Sequence, residues 1–351
     1  MKKDIKSMLP AELAEYFVSI GERDFRAGQV FRWLHGGAKG FSEMTNLPEA
    51  LRLKLDEDFF ITAPKMLEKQ VSEADGTAKY LWELADGNSV ESVVMKYEHG
   101  LTVCISTQVG CRMGCVFCAS TIGGLIRNLT ASEMLDQVLY SQMDVGSRLS
   151  NVVLMGIGEP LDNYDNVIKF LTLINHPSGM NIGARHITLS TCGIIENIDK
   201  LAECEIQLSL VASLNAPDDE TRSRLMPINK KTGVDELFGA CDRYFKSTGR
   251  RISYEYALIN GINDTRSHAE SLSERLKGSG SHLNLIIWNN VPECAINAST
   301  PERVKAFTNI LKQNKINFTI RRKLGGDIDA SCGQLRRRFY GALGNNGQRQ
   351  G

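Results

Sequence analysis

Cys104, Cys111, Cys115 and Cys118 crowd four of the chain's nine cysteines into fifteen positions. The last three are spaced C-x3-C-x2-C. A [4Fe–4S] cluster is normally held by four thiolates. Three thiolates from this run would hold three of its irons. The fourth iron would be left to a small molecule that offers an amine and a carboxylate, both hard ligands.

Zinc is the competing reading. A structural zinc site takes four N or S ligands, usually as two C-x2-C pairs or as one such pair with an H-x3-H. The run has one C-x2-C, so Cys104 would have to complete the set, and zinc stays open as the lesser alternative. Disulfides are disfavoured, because scattered cysteines without a secretion signal point to a reducing compartment. With Phe117 just before the last cysteine, the spacing resembles the signature of radical S-adenosylmethionine (SAM) enzymes.

A second group of candidates falls where strands are expected to end. Gly156-Ile-Gly-Glu-Pro160 follows a strand over 151–155. Glycines there let a ligand approach the backbone, and Glu159 can pair with an ammonium. Alone, this would be a turn with a solvated glutamate; beside an open iron, the ligand reading is stronger. Ser190, the run Ser213-Leu214-Asn215, and Asn289 close three further expected strands. They offer small polar groups for a ribose, a carboxylate and an adenine.

These residues need a scaffold that brings strand ends to one edge. From 102 on, strands at 102–107, 151–155, 185–190, 206–212, 252–258 and 283–288 alternate with helices at 131–143, 164–174, 195–202, 234–246, 267–276 and 301–313. Thr130-Ala-Ser-Glu133 is a capping box before the first helix. Six such units imply a parallel sheet with right-handed crossovers, a partial (β/α)6 TIM-like barrel whose carboxyl edge binds ligands. A short strand at 317–322 follows. Residues 1–64 read as a small helical accessory domain. Residues 65–100 read as a β-meander punctuated by Asp86-Gly87 and His99-Gly100. The barrel and its C-terminal loop fill 101–340, and the Gly/Asn/Gln-rich 341–351 reads as a disordered tail.

The chain's 351 residues allow one large domain with a small one. Lys+Arg 41 balances Asp+Glu 41, so net charge carries no nucleic-acid signal. No signal peptide and no 18-residue apolar run is present, which points to the cytoplasm and away from a membrane.

Together these motifs resemble the RlmN/Cfr family, and within it the RlmN type, over nearly the whole chain. The resemblance rests on the N-terminal helical module, Val90-Glu-Ser-Val, the run 104–118, Gly156-Ile-Gly-Glu-Pro and Ser213-Leu-Asn-Ala-Pro. It rests also on Leu225-Met-Pro-Ile-Asn and Gly326-Asp-Ile-Asp-Ala-Ser-Cys332-Gly-Gln-Leu-Arg. It implies a radical SAM methyltransferase of dual specificity, acting on C2 of an adenine in 23S rRNA and in tRNA. Cys111, Cys115 and Cys118 would hold the [4Fe–4S] cluster. Gly158, Glu159, Ser190, Ser213, Leu214, Asn215 and Asn289 would contact SAM. Glu91 matches the family's proton acceptor. Asn215 departs from the usual His, and Cys192 is given no role. The Cfr type, acting at C8 of the same adenine and conferring antibiotic resistance, is the near alternative; Gly-Glu-Pro160 and Trp288-Asn289 lean toward RlmN. A non-catalytic ribosome-assembly protein with a structural metal is the alternative of another class.

The chemistry asks for two more cysteines. C2 of adenine is electron-poor and cannot attack a SAM methyl group, so a carbon radical is needed. A thiolate can take a methyl group from one SAM, and the cofactor then generates a radical from a second. The RNA adduct that results must be released by another thiol, in a step like disulfide exchange. Cys332 and Cys104 fit these two roles. Basic neighbours favour the Cys332 thiolate. A reductant such as flavodoxin or ferredoxin and a monomeric protein complete the expectation.

RNA contact is expected from Arg321-Arg-Lys323 and Arg336-Arg-Arg338 around Cys332, extended by Lys230-Lys231 and Arg250-Arg251. Basic side chains near Phe25, Phe31 and Trp33 suit RNA as well, although Phe31 and Trp33 read better as the module's own core. Replacing Cys111, Cys115 or Cys118 by Ala should each abolish iron loading and SAM cleavage, as iron assay and deoxyadenosine release would report. Full activity in any one variant would remove the cluster assignment.

Overall fold

The computed structural model describes residues 2–288, 296–322, 324–329 and 333–339. The expected tail at 341–351 lies outside them. At the N-terminus, helices α1 (Pro10–Ser19), α2 (Phe25–His35) and α3 (Glu49–Asp58) lie between the short parallel strands β1 (Lys3–Asp4) and β2 (Phe59–Phe60). Pro10 opens α1 where no N–H is missed, and the Glu12 carboxylate accepts the Leu9 N–H at 2.6 Å.

Strands β3 (Lys65–Val71), β4 (Ala78–Glu83), β5 (Ser89–Tyr97) and β6 (Gly100–Ile105) form the antiparallel meander. A hairpin not foreseen from sequence follows, β7 (Gln108–Gly110) with β8 (Leu125–Asn128), and it brackets the cysteine loop. The chain then alternates through α4 (Ala131–Val145), β9 (Leu149–Leu154), α5 (Tyr164–Asn175), β10 (Ile187–Thr191), α6 (Ile195–Glu203), β11 (Ser209–Ser213), α7 (Asp219–Leu225) and α8 (Val234–Thr248). It continues through β12 (Ser253–Leu258), α9 (Arg266–Leu276), β13 (His282–Ile287), α10 (Pro301–Gln313) and β14 (Phe318–Ile320). Thr130 and Glu133 form the expected capping box on α4, the Thr130 N–H reaching Glu133 at 2.9 Å.

The strands join in one ten-stranded sheet, ordered β14-β13-β12-β11-β10-β9-β6-β5-β4-β3. From β6 through β14 the neighbours are parallel, as a partial barrel requires. The meander extends the barrel's own sheet: β6 pairs antiparallel with β5 and parallel with β9. Strand starts shift by one to three residues from expectation. Arg185 and His186 lie in a 3-10 turn before β10, and β11 begins at Ser209 rather than 206.

The meander's two faces have different company. Tyr80, Trp82, Val94, Val103 and Ile105 join the main apolar core. By the alternation of a strand, the other face carries Lys79, Glu91, Val93, Met95 and Cys104. That face looks to the side where the site lies.

The N-terminal helices share the main core, since Leu13, Phe17, Phe31 and Leu34 belong to the same cluster as the barrel's Val152 and Leu189. Phe31 is buried against the His35 ring and Trp33 packs at the edge, so both serve the core, as the sequence favours. Phe25 stands exposed. A buried ion pair fastens the module to α4: Lys6 Nζ lies 2.6 Å from Asp136 Oδ1 and donates also to the Thr62 carbonyl at 2.6 Å. Removing one partner of a buried pair leaves the other charge unpaired. Lys6→Met should therefore cost about 3–5 kcal/mol in a urea unfolding measurement.

Candidate active site

Cys111, Cys115 and Cys118 lie on the loop inside the β7–β8 hairpin, after the end of β6. The loop is held from several sides. Cys111 N–H donates to the Gly124 carbonyl at 3.0 Å and Val116 N–H to the Leu225 carbonyl at 3.0 Å. Trp288, at the end of β13, donates its indole N–H to the Phe117 carbonyl at 3.0 Å. Gly110 is obligatory: with φ +78, a Cβ there would lie 2.0 Å from the Gly124 carbonyl oxygen.

Of the residues expected at strand ends, those the structure describes lie at the carboxyl edge of the sheet, where they also make internal contacts. Glu159 is buried, and burial holds its carboxyl above the usual range. Its carboxylate accepts the Cys192 N–H at 2.8 Å and the Leu161 N–H at 3.1 Å. Gly158 sits close against the start of β7. At φ +112, a Cβ there would lie 2.7 Å from Gln108 Cβ and 2.8 Å from Thr107 Oγ1. The neighbouring Ile157 carbonyl accepts the Thr107 N–H at 2.8 Å. Ser190 and Ser213 hydroxyls lie 3.3 Å apart, and Ser190 donates to Glu255 at 3.1 Å.

Leu214 is buried among core residues, so only its backbone is polar at this edge. Asn215 adopts φ 57 and spends its amide on the scaffold. Its Oδ1 accepts the Ala257 N–H at 2.8 Å and its Nδ2 meets Met226 Sδ at 3.2 Å. Asn289 lies outside the described residues.

Cys104 and Glu91 occupy one face of the meander. Cys104 is buried with Val93, Met95, Val153, Met155 and Leu324, the last from the segment that leads toward Cys332. Glu91 lies 2.8 Å from Lys79 Nζ and accepts the N–H groups of Gly333 and Arg336, each at 2.7 Å. Cys332 itself lies outside the described residues. Gly333, at φ +77, abuts the far end of the cysteine loop: a Cβ there would lie 3.2 Å from Ser120 N and 3.3 Å from Ala119. Glu91, the C-terminal segment and the cysteine loop are thus neighbours.

Residues 105–272 match the Radical SAM superfamily. Residues 3–61 match the ribosomal RNA large subunit methyltransferase N-terminal domain. A probable dual-specificity RNA methyltransferase RlmN of Alkaliphilus oremlandii is 52% identical over 96% of this chain and 98% of its own. One of Clostridium tetani is 49% identical over 93% of this chain and 94% of its own.

The chain belongs to the RlmN family. A solved radical SAM methyltransferase from Sphaerobacter thermophilus, 40% identical, superimposes with a TM-score of 0.89 over 95% of this chain and 98% of its own.

The cofactors of this superfamily are a [4Fe–4S] cluster and SAM. The RlmN-family chain carries donors that fit the cluster. Burial, with the charges of Cys118 and Glu159, pushes the Cys111 thiol up to about 12, and burial raises Cys115 too. Such thiols keep their protons until a metal displaces them, as a coordinating thiol is deprotonated outright. Among the described residues, no three His, Cys, Asp or Glu side chains gather to hold a single metal ion. Cys111, Cys115 and Cys118 nonetheless lie together on one loop and offer the thiol donors that such a cluster takes.

Three supporting residues escaped sequence reasoning. Lys79 reads as an ordinary strand lysine. Glu255 looks like one polar position in an apolar strand. Arg222 sits in an acidic-basic helix, yet it is fully buried and donates to the carbonyls of Cys192 at 2.7 Å, Leu214 at 3.0 Å and Ser213 at 3.2 Å. It binds the ends of β10 and β11 together. Each has a partner distant in sequence, so no local pattern announces it. Part of the basic patch is also spent internally: Arg338 pairs with Glu68 and Asp329, and Arg321 with Glu255. Lys230, Lys231 and Arg251 are exposed, while Lys323 lies outside the described residues. Gly158→Ala should cost about 2 kcal/mol or more, because an added methyl group has no room there; the thermal unfolding midpoint is the measurement.

Proposed function

We propose that this chain methylates carbon 2 of adenine in RNA, at adenine 2503 of 23S rRNA and adenine 37 of tRNA, with two SAM molecules per turnover. The observation that carries the reading is the seat of Gly333. The residue next to Cys332 lies between Glu91 and the backbone of the cysteine loop. The segment that carries Cys332 is thereby anchored beside the loop of Cys111, Cys115 and Cys118, which supports this reading.

When bound, the cluster supplies the electron that cleaves SAM to a 5′-deoxyadenosyl radical. The chain's own residues do the rest. Cys332 accepts a methyl group on sulfur by displacement and carries that carbon to the base. Cys104 shares an apolar pocket with Leu324, on the same C-terminal segment. Its thiolate would attack the Cys332 sulfur, forming the S–S bond as the S–CH2 bond to the base breaks; the electron pair leaves with that carbon, which takes a proton to become the methyl group on the RNA. Glu159, Gly158, Ser190, the Ser213–Asn215 run and Asn289 would contact SAM, with Leu214 acting through its backbone. Residues 1–64 supply RNA contacts, supported by exposed Phe25 with the Arg26 guanidinium 5.1 Å from its ring centre. Stacking of a base on such a ring is worth roughly 1–3 kcal/mol.

No helix among the described residues is long and apolar enough to cross a membrane. We place the protein in the cytoplasm as a monomer that draws electrons from a flavodoxin or ferredoxin.

Mass spectrometry of nucleosides from treated RNA tests the target: 2-methyladenosine is expected, and 8-methyladenosine would overturn the assignment. The two cysteines should fail differently. Cys104→Ala should stall with protein covalently joined to RNA, visible as a shifted band on a denaturing gel. Cys332→Ala should give no such band and carry no methyl group. Wild-type turnover in both variants would end the two-cysteine mechanism.

A further inference from the structure

Arg222 braces two strand ends, but bracing alone does not call for its charge. The side chain is fully buried. Its Nε donates to the Leu214 carbonyl at 3.0 Å, and one terminal nitrogen donates to the carbonyls of Cys192 at 2.7 Å and Ser213 at 3.2 Å. The other terminal nitrogen donates to Asn229 Oδ1 at 2.8 Å. All of these acceptors are neutral amides. The carboxylate it reaches through Asn229 is that of Asp219, 2.9 Å from Asn229 Nδ2, and Asp219 is exposed. A guanidinium stays protonated in a protein, and a buried charge without a counter-charge is costly. The fork of N–H groups explains the bracing. It does not explain a full positive charge buried away from any carboxylate.

That charge sits against the cysteine loop. Arg222 and Leu225 lie on α7, and the Leu225 carbonyl accepts the N–H of Val116, the residue after Cys115, at 3.0 Å. Leu225 and Met226 pack in one apolar cluster with Cys115, Phe117 and Cys192. A Cβ on Gly114 would lie 3.5 Å from Pro227 Cγ, so the chain after α7 follows the loop closely. Burial and the charges of Cys118, Cys111 and Glu159 raise the Cys115 thiol, and the charge of Arg222 opposes that rise. Three thiolates around a cluster would bring negative charge to this loop, with the Arg222 cation already buried beside it.

We propose that Arg222 is a counter-charge for the cluster and holds its reduction potential within reach of the reductant, besides bracing β10 and β11. This inference rests on Cys111, Cys115 and Cys118 holding the cluster. Net charge and solvent exposure are among the factors that set the potential of such groups. The step served is a one-electron reduction. One electron leaves the flavodoxin or ferredoxin and enters the site, no bond forms or breaks, and the site gains one negative charge. Arg222 stabilises that added charge because interactions between charges are stronger in a water-poor interior. Lysine at this position would keep the charge and lose the planar fork. Methionine would lose both.

The test uses full-length, cluster-loaded protein, with the variants Arg222→Lys and Arg222→Met checked first for iron content and cooperative unfolding. The midpoint potential is read without RNA, by a dithionite titration followed with electron paramagnetic resonance. Arg222→Met should lower the equilibrium constant for reduction by about tenfold or more, a fall of about 59 mV for a one-electron couple. Arg222→Lys should keep most of the wild-type potential, although it makes fewer bracing hydrogen bonds. A wild-type potential in Arg222→Met overturns the proposal. An equal fall in both variants overturns it too, because the effect would then follow the lost hydrogen bonds and not the charge. Should Arg222→Met not fold, the double variant Asn229→Asp with Asp219→Asn decides. It moves a carboxylate from the exposed position to the group 2.8 Å from the guanidinium, with net charge unchanged. A lower potential there supports the proposal, and an unchanged one overturns it. The parent reading fails separately: Cys115→Ala that still loads its full complement of iron removes the cluster from this loop, whatever the potentials show.

Discussion

β6 is paired on both edges, antiparallel with β5 and parallel with β9, and the rest of the site depends on this double pairing. A parallel barrel needs crossovers and covers its strands with helices. An antiparallel ribbon needs only tight turns. Joining them at one strand places Cys104 on a face shared with Glu91 and Lys79, and sends the chain directly from Ile105 into the cysteine loop. Shifting β6 by one residue would turn Cys104 to the helix-packed side and Ile105 to the site. The burial of Val103 and Ile105 in the main core opposes that shift.

Close backbone approach is the second constraint. The loop after β9 lies so near the start of β7 that Gly158 and Gly156 have no room for a side chain; a Cβ on Gly156 would lie 2.5 Å from the Ile105 carbonyl. Gly110 and Gly333 serve the same end at the cysteine loop. These glycines bring backbone to backbone, and the polar groups exposed by the crowding are answered by Gln108, Glu159 and Arg222. Gln108 accepts the Glu159 N–H at 2.9 Å, Glu159 accepts the Cys192 N–H, and Arg222 takes the Cys192 carbonyl. The carboxyl edge is thus a connected polar framework, and such networks rigidify a site when every member is satisfied.

Membership of the RlmN family gives this framework its chemical meaning. The groups proposed as reactive come from three separated parts of the chain: Cys104 at the meander's end, the loop cysteines, and the C-terminal segment. Buried contacts at Glu91 and Gly333 bring Gly333 beside the meander and the cysteine loop. The N-terminal helices are part of the same solid body, because their apolar residues complete the barrel's core and Lys6 is buried against Asp136.

Much of this was legible in the sequence. C-x3-C-x2-C is a local spacing, so it points to a radical SAM protein wherever it stands, and the superfamily match bears that out. Alternating apolar strands and amphipathic helices report a parallel barrel because each period reflects which faces must be buried. The capping box at Thr130 and the core roles of Phe31 and Trp33 were readable for the same local reasons. What sequence could not decide was long-range pairing. It did not show that the meander extends the barrel's sheet, that β7 and β8 frame the cysteine loop, or that Gly158 makes room for backbone. Nor did it show that the amide of Asn215 is spent on Ala257 and Met226, or that Lys79, Glu91 and Arg336 meet. Those contacts join residues from about ten to more than two hundred positions apart. Local pattern cannot encode such partners, because hydrogen bonds and ion pairs of this kind acquire their geometry only when the sheet has closed.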